Sequence, residues 1–265
     1  MRRMRVRQWV LAGLFGMVAS AAAAQTPAVA PFEPKVGQPG KDVVWVPTPQ
    51  ELVDRMLELA NATPADFLID LGSGDGRTVI TAARRGLRAH GIEYNPDMVA
   101  LAQRRAREAG VSDRATFEQA DLFTRIDELR KADVITMFLL SSINLRLRPA
   151  LLELEPGTRI VSNTFRMADW EPDQESRVEG ACASWCEALL WIVPAKVEGT
   201  WQLGDETLAL AQAFQRVSGT LGTREVTGGR LDGRTITFTV EGTTYTGTVD
   251  GDTMTGATWT ATKRP

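Results

Sequence analysis

Three glycines at alternate positions mark the first place in this chain where chemistry could be done. They sit in Asp66-Phe67-Leu68-Ile69-Asp70-Leu71-Gly72-Ser73-Gly74-Asp75-Gly76, between an apolar segment and a helix-forming one. A loop without Cβ atoms lets a ligand approach the backbone closely. The dinucleotide fingerprint needs its third glycine one position later, where Arg77 stands, so G-x-G-x-x-G is not satisfied. Two carboxylates follow. Glu93 closes the next apolar segment, where it can accept charge-assisted hydrogen bonds from two vicinal hydroxyls of a ribose. Asp121 lies just past the one after, placed to accept from an exocyclic amine such as that of adenine; its other reading is a helix cap ahead of Leu122-Phe123. His90, the single histidine, enters an apolar segment and reads as structural. No acidic cluster suggests a metal.

These residues need a scaffold, and the hydrophobic pattern supplies one. Thr48-Pro49-Gln50-Glu51 is a helix start in which Thr48 caps and Glu51 completes a capping box. Leu52, Val53, Met56, Leu57 and Ala60 then mark one face at helical spacing. Strands are expected at 67–69, 89–93, 116–119, 134–140 and 160–165, alternating with helices at 77–85, from the Asn95-Pro96-Asp97 cap to Gly110, at 126–131 and at 145–154, the last broken or restarted at Pro149. Ala188 to Val193 reads as a last strand of the same sheet. Repeated βα units of this kind make an α/β, doubly wound, mostly parallel sheet.

Beyond Pro194 the composition shifts to Thr, Gly and short alternating segments. Ile236, Phe238 and Val240 share one face, Tyr245, Gly247 and Val249 another, with turns at Asp232-Gly233, Glu241-Gly242 and Asp250-Gly251. This predicts a small antiparallel β domain, a sheet or partial barrel, with Trp201 and Trp259 in its core; Leu208 to Phe214 is open between strand and helix. The organisation expected is 1–24 signal peptide, 25–42 linker, 43–195 sheet domain and 196–265 β domain.

The signal reading rests on Arg2, Arg3, Arg5 and Arg7 ahead of an apolar run from Trp9 to Val18, then Ala22-Ala23-Ala24 before Gln25. A retained anchor or a start codon set too far upstream are its alternatives. Export predicts a periplasmic location. With 265 residues, 43% hydrophobic and 24% charged, the chain has the composition of a globular protein. Its net charge of −3 becomes more negative once the four leader arginines are removed, which argues against nucleic acid as a partner. Cys182 and Cys186 lack the ligand set of a zinc site and read either as a local disulfide or as two free thiols.

The run from Asp70 to Gly76, then Glu93, then Asp121, resembles the successive cofactor motifs of class I S-adenosylmethionine-dependent methyltransferases, over roughly residues 43–193. The resemblance implies a Rossmann-like methyltransferase sheet with S-adenosylmethionine as cofactor. It places Gly72, Ser73, Gly74 and Gly76 along the methionine and ribose, Glu93 on the ribose, Asp121 at the adenine, and Asp70 on the loop or its ligand. The Asn-Pro-Pro-Tyr motif of amide- and base-methylating relatives is absent.

A narrower likeness lies in Val46-Pro47-Thr48-Pro49 and in Phe138-Leu139-Leu140-Ser141-Ser142-Ile143-Asn144. These resemble the protein-lysine methyltransferases of the adenine nucleotide translocase and the ATP synthase c-subunit, with their bacterial relatives. That implies a protein substrate with a lysine ε-amine as acceptor. Ser141, Ser142 and Asn144 are the candidates for orienting it, with helix capping as the other reading; Asp169 and Trp170 could flank the same mouth. The leader and the β domain depart from the mitochondrial members, and membrane or envelope contact goes with them. An exported protein that binds the cofactor without turnover is the alternative function.

Overall fold

The computed structural model describes residues 32–180 and 182–264; the signal-peptide expectation lies outside them. Seven strands form the main sheet: β1 (Phe67–Leu71), β2 (Arg88–Glu93), β3 (Ala115–Gln119), β4 (Val134–Met137), β5 (Arg159–Asn163), β6 (Gln174–Arg177) and β7 (Glu187–Ile192). Their order is β3-β2-β1-β4-β5-β7-β6. The first five pair in parallel, and β7 then runs antiparallel to both β5 and β6. The fold is therefore the doubly wound, mostly parallel sheet that the alternation of segments predicts. Sequence reading anticipated β7 but not the polar edge strand β6.

The central strands β1, β4 and β5 are buried on both faces because their side chains alternate between two cores. Leu68, Val134 and Val161 point one way, into a core with α1 (Gln50–Leu59), α2 (Arg77–Arg84) and α3 (Pro96–Glu108). Ile69, Ile135 and Ile160 point the other way, against α4 (Ser141–Leu151) and the Trp170–Trp191 pair. Helix α1 buries Leu52, Val53, Met56 and Leu57, as its spacing predicts.

Two local expectations are corrected. Thr48 does not cap α1: its hydroxyl is 3.4 Å from Asn163 Nδ2 and its carbonyl accepts from Arg77 at 2.9 Å, so the residue ties the helix entry to β5 and α2. Helix α4 starts at Ser141, not Leu145, and runs through Pro149. Its early start follows from β4, which ends at Met137 and leaves 138–140 to turn into the helix.

After Ile192 the chain builds a second body. Strands β8 (Gly199–Leu203), β9 (Glu206–Ala213), β10 (Arg216–Leu221), β11 (Arg224–Asp232), β12 (Thr235–Val240), β13 (Thr243–Asp250), β14 (Thr253–Gly256) and β15 (Thr260–Lys263) pair antiparallel in sequence order, and β15 returns to β8. The expected sheet or partial barrel is thus a closed eight-stranded barrel, and the ambiguous Leu208–Phe214 stretch is mostly β9. Closing it needs coiling, supplied by register shifts in β10 and β11. Gly219 serves one of these shifts at φ +152°, where a side chain would strike the Ala209 backbone. Trp201, Leu208, Leu231, Ile236, Phe238 and Met254 fill the interior, so the barrel is a packed core.

The barrel is bonded to the sheet domain. Gly233 accepts from Ala195 N–H at 2.8 Å and lies where a Cβ would come within 3.0 Å of Gly157. Gln215 donates to the Glu171 carbonyl at 2.8 Å, and Phe214 stacks on Trp170 at 5.8 Å.

Candidate active site

The C-terminal ends of β1, β2, β3 and β4 converge on one cavity of about 440 Å³, the position at which open α/β sheets bind ligands. Asp70, Gly72, Ser73, Gly74, Glu93 and Asp121 all line it. At Gly74, φ is +53° and a Cβ would come within 2.8 Å of the Trp45 indole nitrogen, so only glycine keeps the loop open under that ring. Gly76 has another job. It does not line the cavity; a Cβ there would meet Ala102 at 2.7 Å and Phe117 at 2.8 Å, so it sets how closely α2 and α3 pack on β3. Gly76→Ala, at φ +81°, combines a left-handed backbone with overpacking and is expected to cost about 2–3 kcal/mol in urea unfolding.

Glu93 is fixed from two sides. Its Oε2 accepts from Gly74 N–H and its Oε1 from Asn95 N–H, both at 2.9 Å. Asn95 in turn caps α3, its side chain accepting from Asp97 N–H at 2.9 Å. Each carboxylate oxygen keeps a lone pair for a ligand hydroxyl, so the glycine loop, the acid and a helix start form one rigid cradle.

Asp70 is buried at the end of β1 and accepts from Thr136 Oγ1 at 2.7 Å. Burial pushes its pKa up to about 7, against the Thr136 hydroxyl, with repulsion from Glu93 and Asp75 adding to the rise. Asp75 behaves oppositely. Burial also works against its charge, but Arg77, forked onto it at 3.0 and 2.7 Å, and Arg105 hold it below the usual carboxylate range.

For Asp121 the capping reading holds. It caps a short 3-10 turn, accepting from Phe123 N–H at 3.0 Å, and it lines the cavity. Its second oxygen is held by Lys41, which keeps the acid below its ordinary pKa and lies 5.0 Å over the Tyr94 ring. Lys41 comes from the stretch read as a linker. Residues 37–45, which span the end of that linker and the start of the sheet domain, fold back on themselves, with Gly37 N–H and Trp45 N–H bonded to Trp45 and Gln38 carbonyls at 2.8 and 2.9 Å, and line the cavity in part. Lys41 and Trp45 were not readable as site residues because they lie far from the glycine loop in a segment without periodicity.

The three residues expected to orient an acceptor do not line the cavity. Ser141 and Ser142 are exposed on the first turn of α4. Asn144 is fully buried and donates to the Phe165 carbonyl at 3.0 Å, so it fixes a neighbouring loop instead. Trp170 belongs to the core and Asp169 pairs with Arg148 at the surface. The far wall is made by Phe138, Leu139, Leu140, Phe165 and Trp185. His90 is structural as expected, with Nδ1 2.9 Å from Thr116 Oγ1 and its pKa lowered by burial. Cys182 and Cys186 are bridged. Among the described residues no group of three His, Cys, Asp or Glu is placed to hold a metal.

Residues 70–174 match the family described as the ANTKMT methyltransferase domain. The protein-lysine N-methyltransferase of Saccharolobus islandicus is 41% identical over 140 residues, 52% of this chain and 86% of that protein. The chain belongs to the ANTKMT methyltransferase family. The mouse adenine nucleotide translocase lysine N-methyltransferase is 37% identical over 132 residues, 49% of this chain and 56% of that one. A solved RNA methyltransferase of Salinibacter ruber, in complex with S-adenosyl-L-homocysteine, is 48% identical with a TM-score of 0.53, covering 57% of this chain and 96% of its own. The protein is an S-adenosylmethionine-dependent methyltransferase. The matched family domain ends at 174, ahead of the barrel.

Proposed function

We propose that this ANTKMT-family enzyme methylates a lysine ε-amine of a protein. The observation that carries this is the acceptor wall. Phe138, Leu139, Leu140, Phe165 and Trp185 are apolar, and the basic residues lining the cavity are both ion-paired, Lys41 with Asp121 and Arg77 with Asp75. Arg166, next to Phe165, is likewise held by Glu175 at 2.7 Å. An aliphatic amine stem suits such a wall, whereas a nucleic-acid backbone asks for unpaired cations. The lysine methyltransferase relatives support this reading; the Salinibacter ruber protein supports an RNA acceptor as the second.

Bound S-adenosylmethionine supplies a sulfonium methyl, which the acceptor nitrogen takes as the carbon–sulfur bond breaks and its electron pair stays on sulfur. Glu93 would hold the ribose, Gly72 and Gly74 would admit the ligand to the backbone, and Asp121 would meet the adenine edge. Attack needs the neutral amine, and its proton leaves to solvent before transfer, since no carboxylate lines that wall. What remains is alignment of nitrogen, carbon and sulfur, which a rigid cradle provides.

Transfer of labelled methyl from S-adenosylmethionine to extracts of membrane and envelope protein, with total RNA in parallel, tests the reading. Label is expected in lysine after protein hydrolysis; label confined to RNA would overturn it, and binding without any transfer would favour a protein that only holds the cofactor.

Asp70 makes cofactor affinity pH-dependent. Its folded pKa of about 7 lies above the ordinary 3.8, so the folded chain carries a proton there that the unfolded chain has lost, and this contribution to stability declines as pH rises from about 4 to 7. A cationic ligand beside it favours the charged form. Calorimetry should show S-adenosylmethionine binding about tenfold tighter at pH 8 than at pH 6, and Asp70→Asn should flatten that dependence. Equal slopes in the two proteins would remove Asp70 from the account.

We also place the chain in an oxidising compartment. The leader with Arg2, Arg3, Arg5 and Arg7 and the Cys182–Cys186 bridge support this. A mature N-terminus at Gln25 in a periplasmic fraction is expected; a full-length cytosolic product would exclude it.

A further inference from the structure

The acceptor wall contains three aromatic rings from three separate elements. Phe138 follows β4, Phe165 follows β5 and Trp185 precedes β7. Phe138 stacks on Phe165 with centroids 5.9 Å apart and meets Trp185 at 6.1 Å, tilted by 59°. Phe165 is pinned through its carbonyl, which accepts from Asn144 Nδ2 at 3.0 Å and Ser162 Oγ at 2.8 Å. Trp185 is held differently. It is 43% exposed although it lines the cavity, and its φ of +56° is one a bulky residue rarely adopts. The cysteines flanking it close a loop with a sequence separation of four. Cys186 is buried, and its carbonyl accepts from Val178 N–H at 2.9 Å, so the bridge fastens the loop to the sheet. An exposed indole on so short a closed loop is not explained by core packing.

We propose that Trp185, with Phe138 and Phe165, forms the subsite that receives the alkylammonium end of the acceptor, and that the Cys182–Cys186 bridge is the positioning element that keeps the indole there. The proposal rests on the lysine reading above. Ring faces attract a cation through their quadrupole, most strongly for tryptophan, while the methylene stem packs on Leu139 and Leu140. The exposed side of Trp185 is where a partner protein would lower its side chain toward the cofactor. Without the bridge the loop has more conformations to lose before the ring is in place.

The test uses the oxidised protein, saturated with S-adenosylhomocysteine, titrated with a blocked glycine-lysine-glycine tripeptide and with its norleucine analogue, which lacks the amine. The indole N–H resonance of Trp185, assigned by its loss in Trp185→Phe, is expected to shift saturably with the lysine peptide and not with the analogue. Trp185→Ala should weaken that peptide at least tenfold and Trp185→Phe by less. Reduction, or Cys182→Ser with Cys186→Ser, should approach the alanine effect, and S-adenosylhomocysteine affinity should stay unchanged throughout. An unmoved indole, or an alanine variant that binds the peptide as wild type does, overturns the subsite; wild-type peptide affinity after reduction overturns the role of the bridge. Lysine labelling in the transfer assay together with either result would sink this proposal alone, whereas label only in RNA would sink the lysine reading beneath it.

Discussion

Glu93→Ala is expected to weaken S-adenosylmethionine binding by about a hundredfold or more. The carboxylate makes two 2.9 Å bonds to backbone N–H groups and offers its remaining lone pairs to the cavity. Hydrogen bonds to a charged group contribute about 1.5–3 kcal/mol each, and two lost ligand bonds correspond to a factor of about a hundred or more. The loss should exceed that for Asp121→Ala, because Asp121 is already engaged by Lys41. Glu93→Gln separates charge from shape. It retains an acceptor for one backbone donor, places an amide against the other, and should fall between wild type and alanine. Isothermal calorimetry checks all three, with circular dichroism to show that the fold persists; an alanine variant binding as wild type does would end the assignment of Glu93 to the ribose.

Trp201→Ala is expected to destabilise the protein by about 3–5 kcal/mol, the range for removing a buried large aromatic. Trp201 is fully buried, donates to the Val197 carbonyl at 2.8 Å and stands opposite both Leu208 and Lys263 across its two strand pairings. The midpoint should fall by roughly 10 °C. Since the barrel is bonded to the sheet domain through Ala195, Gln215 and Phe214, a single calorimetric transition is expected, raised by S-adenosylmethionine in both proteins. Two transitions in the variant, with only the upper one moved by cofactor, would show that the barrel unfolds alone.

How much could be read in advance depended on whether the physics was local. The parallel sheet was legible because its strands are short apolar runs between helices with caps, such as Asn95 ahead of α3. The cradle was legible because Gly72, Gly74 and Glu93 sit at the ends of consecutive strands. Gly76 was misassigned, since alternation in sequence hides that its α carbon faces Ala102 and Phe117. Ser141, Ser142 and Asn144 follow a stretch that lines the cavity, residues 138–140, without lining it themselves: α4 begins after that short turn, which leaves the serines exposed and buries the asparagine. Lys41, Trp45 and Trp185 reach the cavity from loops, where placement follows long-range contacts that no periodicity encodes. Trp185 did carry one signal, its place between two cysteines. Barrel closure was likewise hidden, because β8 and β15 pair across nearly the whole length of the β domain in sequence, where no local pattern links them.

That closure leaves the two bodies with different exposure to self-association. A ring of strands offers no raw hydrogen-bonding rim to a neighbouring molecule, so strand addition is confined to the open flanks of the larger sheet, β3 and β6. The β6 flank reads Gln174-Glu175-Ser176-Arg177, with Glu175 clasped by Arg166 and Arg177 by Glu187. Removing those charges is expected to open that flank to edge-to-edge stacking.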